Sequence, residues 1–205
     1  MTATALAVHL DDDDESRRDS LAFLFASRGI DTRLWPSGEA FLAAWPQADC
    51  GCIILDVRME GMSGPQALDA LIQIEGAAAA LPPVIFLTGH ADVPLAVQSL
   101  KNGAFDFLEK PFNDNQIVDI ALRAMELHQS RAAESDSRAA IAARFATLSA
   151  REAEVMELIL AGQLNKQIAD RLGIAMRTVE VHRSRVLQKT GARNSVDLAQ
   201  MQARL

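Results

Sequence analysis

Over the first 127 residues, short uninterrupted apolar runs alternate with longer stretches in which apolar residues return every three or four positions. The runs at residues 6–10, 32–35, 52–55, 84–87 and 104–108 predict strands, the middle ones rich in Ile and Val as buried parallel strands are. Helical spacing predicts helices over roughly 16–28, 38–44, 65–75, 93–102 and 115–128, with Gly29 and Gly103 as stops and Ser37 as a start signal. Five strand-helix repeats imply an α/β architecture, a (βα)5 doubly wound parallel sheet with helices on both faces.

The texture then changes. Residues 128–146 are mostly Ala, Ser and Arg with one Glu and hold neither Gly nor Pro, a composition that favours helix but offers little to bury. They predict a helical linker prolonging the fifth helix, between a domain at 1–127 and a second at 147–205. The second domain shows only helical patterns and reads as a small all-α four-helix unit. Ser149 and Glu152 form a capping box, Val155, Leu158 and Ile159 an apolar face, and Gly162 a stop. Asn165 is the expected cap of the next helix, whose Ile168 and Leu172 lie one turn apart before Gly173. Helix, short turn and helix is a DNA-reading arrangement, which makes residues 177–189 the recognition helix. At about 100° per residue, Val179, His182 and Val186 turn inward, while Arg177, Val181, Ser184, Arg185 and Gln188 turn outward.

Charge sharpens this division. The whole chain of 205 residues carries −7, but residues 147–205 hold nine Lys/Arg against six Asp/Glu. The first 146 residues therefore carry −10, so the two parts differ in the partners they favour. No stretch approaches the roughly 18 apolar residues of a membrane span, and residues 1–10 lack a secretory pattern, so a cytoplasmic protein without a membrane partner is expected. Cys50 and Cys52, one glycine apart, fit neither a metal nor a redox spacing and read as small strand residues.

The acidic part has its chemistry at the strand ends, where ligands bind in parallel α/β sheets. The first run ends in Asp11-Asp12-Asp13-Asp14, the third at Asp56 and the fourth at Thr88, and the fifth is followed by Lys110-Pro111. Clustered carboxylates need a hard cation, and Mg²⁺ suits a few carboxylates, waters and phosphate oxygens. A carboxylate beside Mg²⁺ can attack a phosphoryl group, with Asp56 as nucleophile and with Lys110 and Thr88 contacting the equatorial oxygens. Taken singly, an acidic run reads equally well as solvated surface and a Lys-Pro as a turn. Their joint occurrence at successive strand ends favours the site.

Beyond that run, the segments Val8-His9-Leu10, Ile54-Leu55-Asp56-Val57-Arg58-Met59, Met62-Ser63-Gly64, Leu87-Thr88-Gly89-His90 and Asp106-Phe107-Leu108-Glu109-Lys110-Pro111-Phe112 resemble the receiver domain of two-component response regulators of the FixJ/NarL type. Leu148-Ser149, Arg151-Glu152, Val155, Gly162, Asn165-Lys166, Ile168-Ala169, Leu172 and Arg177-Thr178-Val179-Glu180-Val181-His182 resemble the LuxR-type helix-turn-helix. Together the two likenesses cover essentially the whole chain. They imply a transcription factor rather than a turnover enzyme: Asp56 takes a phosphoryl group from a sensor histidine kinase, which alters dimerisation and binding to double-stranded DNA.

The resemblance also implies roles. Mg²⁺ falls to Asp12, Asp13, Asp56 and the backbone carbonyl of Arg58, with the pair set at 12 and 13 by its spacing to Ser20-Leu21. Thr88 and Phe107 become the switch, Val97, Lys101 and Phe107 the rearranging dimer surface, and Lys110-Pro111 a cis bond. Phe107 reads equally as ordinary core. Glu180, Val181 and Ser184 would approach base edges, with Arg177 on the same outward face. Lys166, Thr178, Arg185 and Lys189 would contact phosphates, which suits their chemistry. RNA polymerase is a further expected partner.

Three positions depart from the pattern. Asp11 stands where an apolar residue is usual, and either turns into the pocket or strains the strand end. Glu60 replaces a loop proline, and Ala175-Met176 replaces Ser-Pro at the start of the recognition helix. Other classes fit less well. A phosphohydrolase on a similar sheet carries a second acid two residues after its nucleophile, where this chain has Arg58. A ligand-sensing regulator needs an aromatic pocket, yet there is no Tyr. A receiver that binds protein or RNA instead of DNA would lack the outward basic helix.

Overall fold

The computed structural model describes residues 6–89 and 93–205. Residues 1–5 and His90, which closes one of the motif segments, lie outside the described residues. The chain divides into two compact units, Met1–Arg131 and Ala132–Leu205.

The first unit is the predicted doubly wound α/β fold. Five parallel strands, β1 (Ala7–Asp11), β2 (Thr32–Trp35), β3 (Cys50–Asp56), β4 (Val84–Thr88) and β5 (Asp106–Glu109), lie in the order β2-β1-β3-β4-β5. They alternate with α1 (Glu15–Ser27), α2 (Gly38–Ala44), α3 (Gly64–Glu75), α4 (Val93–Lys101) and α5 (Asp114–Ala146). The fifth helix runs on through the predicted linker. The last strand starts later than its apolar run suggests: Ala104 and Phe105 precede it, and Phe105 N–H reaches back to the Val84 carbonyl.

Strand alternation divides the core between the two faces of the sheet. Cys52 and Ile54 of β3 join Val8, Leu10, Phe25 and Ile117 in one cluster, whereas Ile53 and Leu55 join Phe41, Leu68, Leu71 and Phe86 in the other. Each fully buried Leu, Ile or Phe contributes about 1.5–3 kcal/mol, so both clusters hold β3 firmly between its neighbours. Cys50 and Cys52 are buried free thiols within it, as expected of small strand residues.

Register then fixes which strand ends meet. Asp11 pairs with Leu55, so the residues after them, Asp12 and Asp56, stand level at the carboxyl edge. Thr88 pairs with Glu109, which places Lys110 directly after that rung. β1 and β3 are also the strands at which the chain reverses its direction of winding, the crevice where such sheets bind ligands.

The second unit holds α6 (Ala150–Leu160), α7 (Asn165–Leu172), α8 (Met176–Thr190) and α9 (Ser195–Gln202). Val155, Ile159, Ile168, Val179, Val186 and Leu198 form its centre. Ser149 and Glu152 make the expected capping box, and Gly173 ends α7 in the left-handed conformation at φ 65°. Asn165 is not the cap of α7. It is the first helical residue, and the Gln167 side chain instead accepts from Leu164 N–H at 2.8 Å, doing from inside the helix what a capping side chain does from outside.

Gly64, the first residue of α3, lies against the end of β3. A Cβ there would collide with the Asp56 carbonyl oxygen and come within 2.9 Å of Phe86 Cε1. Both neighbours are core, so Gly64→Ala is expected to destabilise the first unit by about 1–3 kcal/mol. Urea unfolding followed by the fluorescence of Trp35 and Trp45 checks this, since both tryptophans belong to that unit.

Candidate functional site

The four consecutive aspartates take four different positions. Asp11 closes β1 and is buried to 1% exposure. Asp12 is buried just beyond it, and Asp13 stands exposed at the rim. Asp14 caps α1, accepting from Ser16 N–H at 3.0 Å and Arg17 N–H at 3.3 Å. A run that looks uniform in sequence is thus a strand end, a pocket wall, a rim and a helix cap.

Asp12, Asp13 and Asp56 each offer an oxygen within 4.8 Å of the other two. An all-carboxylate oxygen set of this size suits Mg²⁺, which favours a few carboxylates and keeps its remaining positions for water and phosphate. Asp56 is 5% exposed, and its Oδ1 accepts from Arg58 N–H at 3.3 Å. Its Oδ2 receives Lys110 Nζ at 2.7 Å, and the same ammonium lies 3.3 Å from Asp12 Oδ2. The Lys110-Pro111 bond is cis. Burial pushes the Asp12 carboxyl above the usual carboxylate range, with Lys110 and Arg17 pulling the other way.

Asp11 is not part of the ligand set. Among the described residues neither of its oxygens has a hydrogen-bond partner. Burial, helped by the negative charges of Glu39, Asp12 and Asp56, pushes its carboxyl up to about 7. Protonation far above the usual carboxylate range lets an acid occupy an apolar strand position beside three other carboxylates.

Glu60, the residue in place of a loop proline, donates its backbone N–H to Asp13 Oδ2 at 2.9 Å. Proline has no N–H to give. Thr88 is fully buried, and its hydroxyl donates to the Gly89 carbonyl at 3.1 Å rather than to Asp56. Phe107 is half-buried against the α2–α3 side of the core, while Val97 and Lys101 are exposed on α4.

Sequence reasoning missed Arg17. Its Nη1 lies 3.0 Å from Asp56 Oδ2 and 3.3 Å from Asp12 Oδ2, and its Nε lies 2.9 Å from Asp14 Oδ2. The available signal was its place three residues after a helix-capping aspartate, which turns the side chain back toward the strand ends.

In the second unit, Arg177, Thr178, Glu180, Val181, Ser184 and Arg185 are all exposed on α8, as is Lys166 on α7. Val179 and Val186 are buried, and His182 is half-buried. Ala175 supplies no side-chain cap to α8. Lys189, the other expected phosphate contact, is exposed on α8 and has intramolecular partners. Its ammonium donates to the buried Glu152 carboxylate at 2.6 Å and to the Thr147 carbonyl at 3.0 Å, so it clasps α8 to the start of α6.

The description "Response regulator receiver domain" matches residues 8–122, and "Bacterial regulatory proteins, luxR family" matches residues 146–202. The C4-dicarboxylate transport transcriptional regulatory protein DctR of Rhodobacter capsulatus is 72% identical over 198 residues, covering 96% of this chain and 99% of its own. The transcriptional regulatory protein FixJ of Rhizobium meliloti is 42% identical over 202 residues, covering 97% of this chain and 95% of its own. Among solved structures, the response regulator StyR aligns at a TM-score of 0.88 with 33% identity, over 98% of this chain and all of that one. Full-length FixJ from B. japonicum aligns at 0.61 with 40% identity, over 98% of this chain and 97% of its own. The chain belongs to the response regulators, with a receiver domain followed by a LuxR-type DNA-binding domain, and it is a transcriptional regulator. None of the described helices is long and apolar enough to cross a membrane.

The Glu152 clasp yields a pH signature. Hydrogen bonds from Lys189 and from Ser149 N–H lower the Glu152 carboxyl from 4.5 to about 2. Its stabilising contribution is complete above 4.5 and is lost as pH falls through about 2, because there the unfolded chain binds the proton first. Hydrogen exchange of α8 amides is expected to lose protection across that window in the wild type. Glu152→Gln is expected to be less protected above it and to lose the pH dependence.

Proposed function

We propose that Asp56 is the phosphoacceptor of a switch that controls DNA binding by α8. The observation that carries this reading is the meeting, at one carboxyl edge, of a buried Asp56, the Lys110 ammonium at 2.7 Å and the carboxylates of Asp12 and Asp13. Asp12, Asp13, Asp56 and the Arg58 carbonyl would hold Mg²⁺. When bound, the ion neutralises the oxygens of the incoming phosphoryl group.

The remaining work belongs to the chain. An Asp56 carboxylate oxygen attacks phosphorus as the bond from phosphorus to the donor breaks, the histidine nitrogen of a sensor kinase or the leaving group of a small phosphodonor, giving an aspartyl-phosphate. Lys110 pairs with one phosphoryl oxygen. Thr88 leaves the Gly89 carbonyl to hydrogen-bond another, and Phe107 follows it inward, changing the surface around Val97 and Lys101 on which two copies meet. One phosphoryl group is taken per chain without turnover of a substrate.

Dimerisation brings two DNA-binding domains onto two half-sites and raises affinity through effective concentration. Lys166, Thr178, Arg185 and Lys189 serve the phosphates, Glu180, Val181 and Ser184 the base edges, and Arg177 stands on the same face. We divide the chain functionally into receiver (1–127), linker (128–146) and DNA-binding domain (147–205), with RNA polymerase as the downstream partner. The name of the relative at 72% identity makes control regions of C4-dicarboxylate transport genes the first operators to test.

Incubation of the full chain with acetyl phosphate and Mg²⁺ is expected to add one phosphoryl group to the wild type and none to Asp56→Asn, read by intact mass. Equal labelling of both chains would overturn the assignment. For the DNA face, Lys166→Ala is expected to weaken binding about equally on all sequences and to lower the salt slope by about 1, whereas Val181→Ala changes the preferred base. Titration of labelled duplexes at two salt concentrations separates the two effects.

A further inference from the structure

Every carboxylate oxygen that Mg²⁺ would need on Asp12 and Asp56 already has a hydrogen-bond partner. Asp12 Oδ1 accepts from Asp14 N–H at 2.9 Å, and Asp56 Oδ1 from Arg58 N–H. The two Oδ2 atoms share two cations, Lys110 and Arg17. Lys110 has work to do on a phosphoryl group. Arg17 has none in that scheme, yet one of its nitrogens bridges the nucleophile and the principal metal ligand. We infer that Arg17 is a built-in competitor of Mg²⁺, a tethered cation that occupies the acidic pocket and raises the Mg²⁺ concentration at which the receiver becomes competent.

This rests on the reading of Asp12, Asp13 and Asp56 as the metal site. A guanidinium and a hydrated divalent cation compete for the same oxygens: each is stabilised by the same negative charge and repels the other. The geometry gives Arg17 somewhere to go. Its bond to Asp14 uses Nε, while the pocket is held by Nη1, so the guanidinium can leave Asp12 and Asp56 and remain tied to Asp14. Asp14 is anchored in turn as the cap of α1. With its side chain 46% exposed, Arg17 can swing outward without opening a cavity.

Neighbouring Arg18 separates occupancy from mere field. It carries the same charge but donates to the Asp12 backbone carbonyl at 2.6 Å, leaving the carboxylate oxygens to others. Removing either arginine removes one positive charge from the vicinity, but only Arg17 vacates ligand atoms.

The test is calorimetric titration of the full-length chain with MgCl2 at fixed ionic strength, for the wild type, Arg17→Met, Arg18→Met and Asp12→Asn. Arg17→Met is expected to bind Mg²⁺ about fivefold more tightly than the wild type, the size of a partly exposed ion pair, and Arg18→Met to change the constant by less than half of that. Equal tightening in both variants would overturn the proposal in favour of a general field effect. An unchanged constant in Arg17→Met, beside lost binding in Asp12→Asn, would overturn it alone and leave the metal site standing. Absence of binding in both the wild type and Arg17→Met would overturn the proposal together with the metal reading.

Discussion

Like charge crowded onto one edge of a sheet is the constraint around which the first unit is organised. Three carboxylates with oxygens within 4.8 Å repel one another by about 3–4 kcal/mol per pair at an effective dielectric of about 20. The fold meets this repulsion in three ways. Lys110 and Arg17 supply opposite charge at Asp12 and Asp56, backbone N–H groups of Asp14, Arg58 and Glu60 supply local dipoles, and Asp11 escapes by holding on to its proton. The opposition is strong enough to favour any incoming cation and weak enough, in a half-open pocket, to be reversed. That balance is what a site alternating between an acidic and a phosphorylated state requires.

The hydrophobic architecture serves the same end. β3 is buried along its whole length between two core clusters, so Asp56 sits at the end of a strand held on both faces. Gly64 lets α3 lie against the Asp56 carbonyl, which fixes the backbone at the end of β3. In the second unit the equivalent rigidity comes from polar contacts. Lys189 with Glu152, Arg151 with the Leu172 carbonyl, and Arg183 with Asn165 tie α6, α7 and α8 together around a small apolar centre. The exposed stripe of α8 is thus presented by a frame that the stripe itself does not have to maintain.

Periodicity made the sheet and both helical systems legible, because a buried parallel strand and an amphipathic helix leave different spacings in the chain. Strand-end placement made Asp56, Thr88 and Lys110 legible for the same reason. What stayed hidden depended on side-chain reach. Only once Asp14 is known to cap α1 does spacing distinguish Arg17 from Arg18, yet one meets the carboxylates and the other a carbonyl. Nor does a basic residue near the end of a recognition helix announce that its partner is a buried glutamate 37 positions earlier in the chain. Asn165 misled because capping depends on backbone conformation, and the turn closes one residue before it.

The two departures beside the acidic pocket, Asp11 and Glu60, form one connected set with Arg17. A proline at position 60 would stiffen the loop but leave Asp13 Oδ2 without the N–H it now accepts. An apolar residue at position 11 would remove a buried carboxyl next to Asp12. With Asp11 and Glu60 in place, the pocket holds more acid and an extra donor at its rim, and Arg17 brings the compensating positive charge to its mouth. Substituting one of the three alone therefore changes the environment of the other two, because Asp12 and Asp13 touch all of them through the backbone, a hydrogen bond or an ion pair. Their effects are coupled, and what the three set together is the charge of the pocket as a whole.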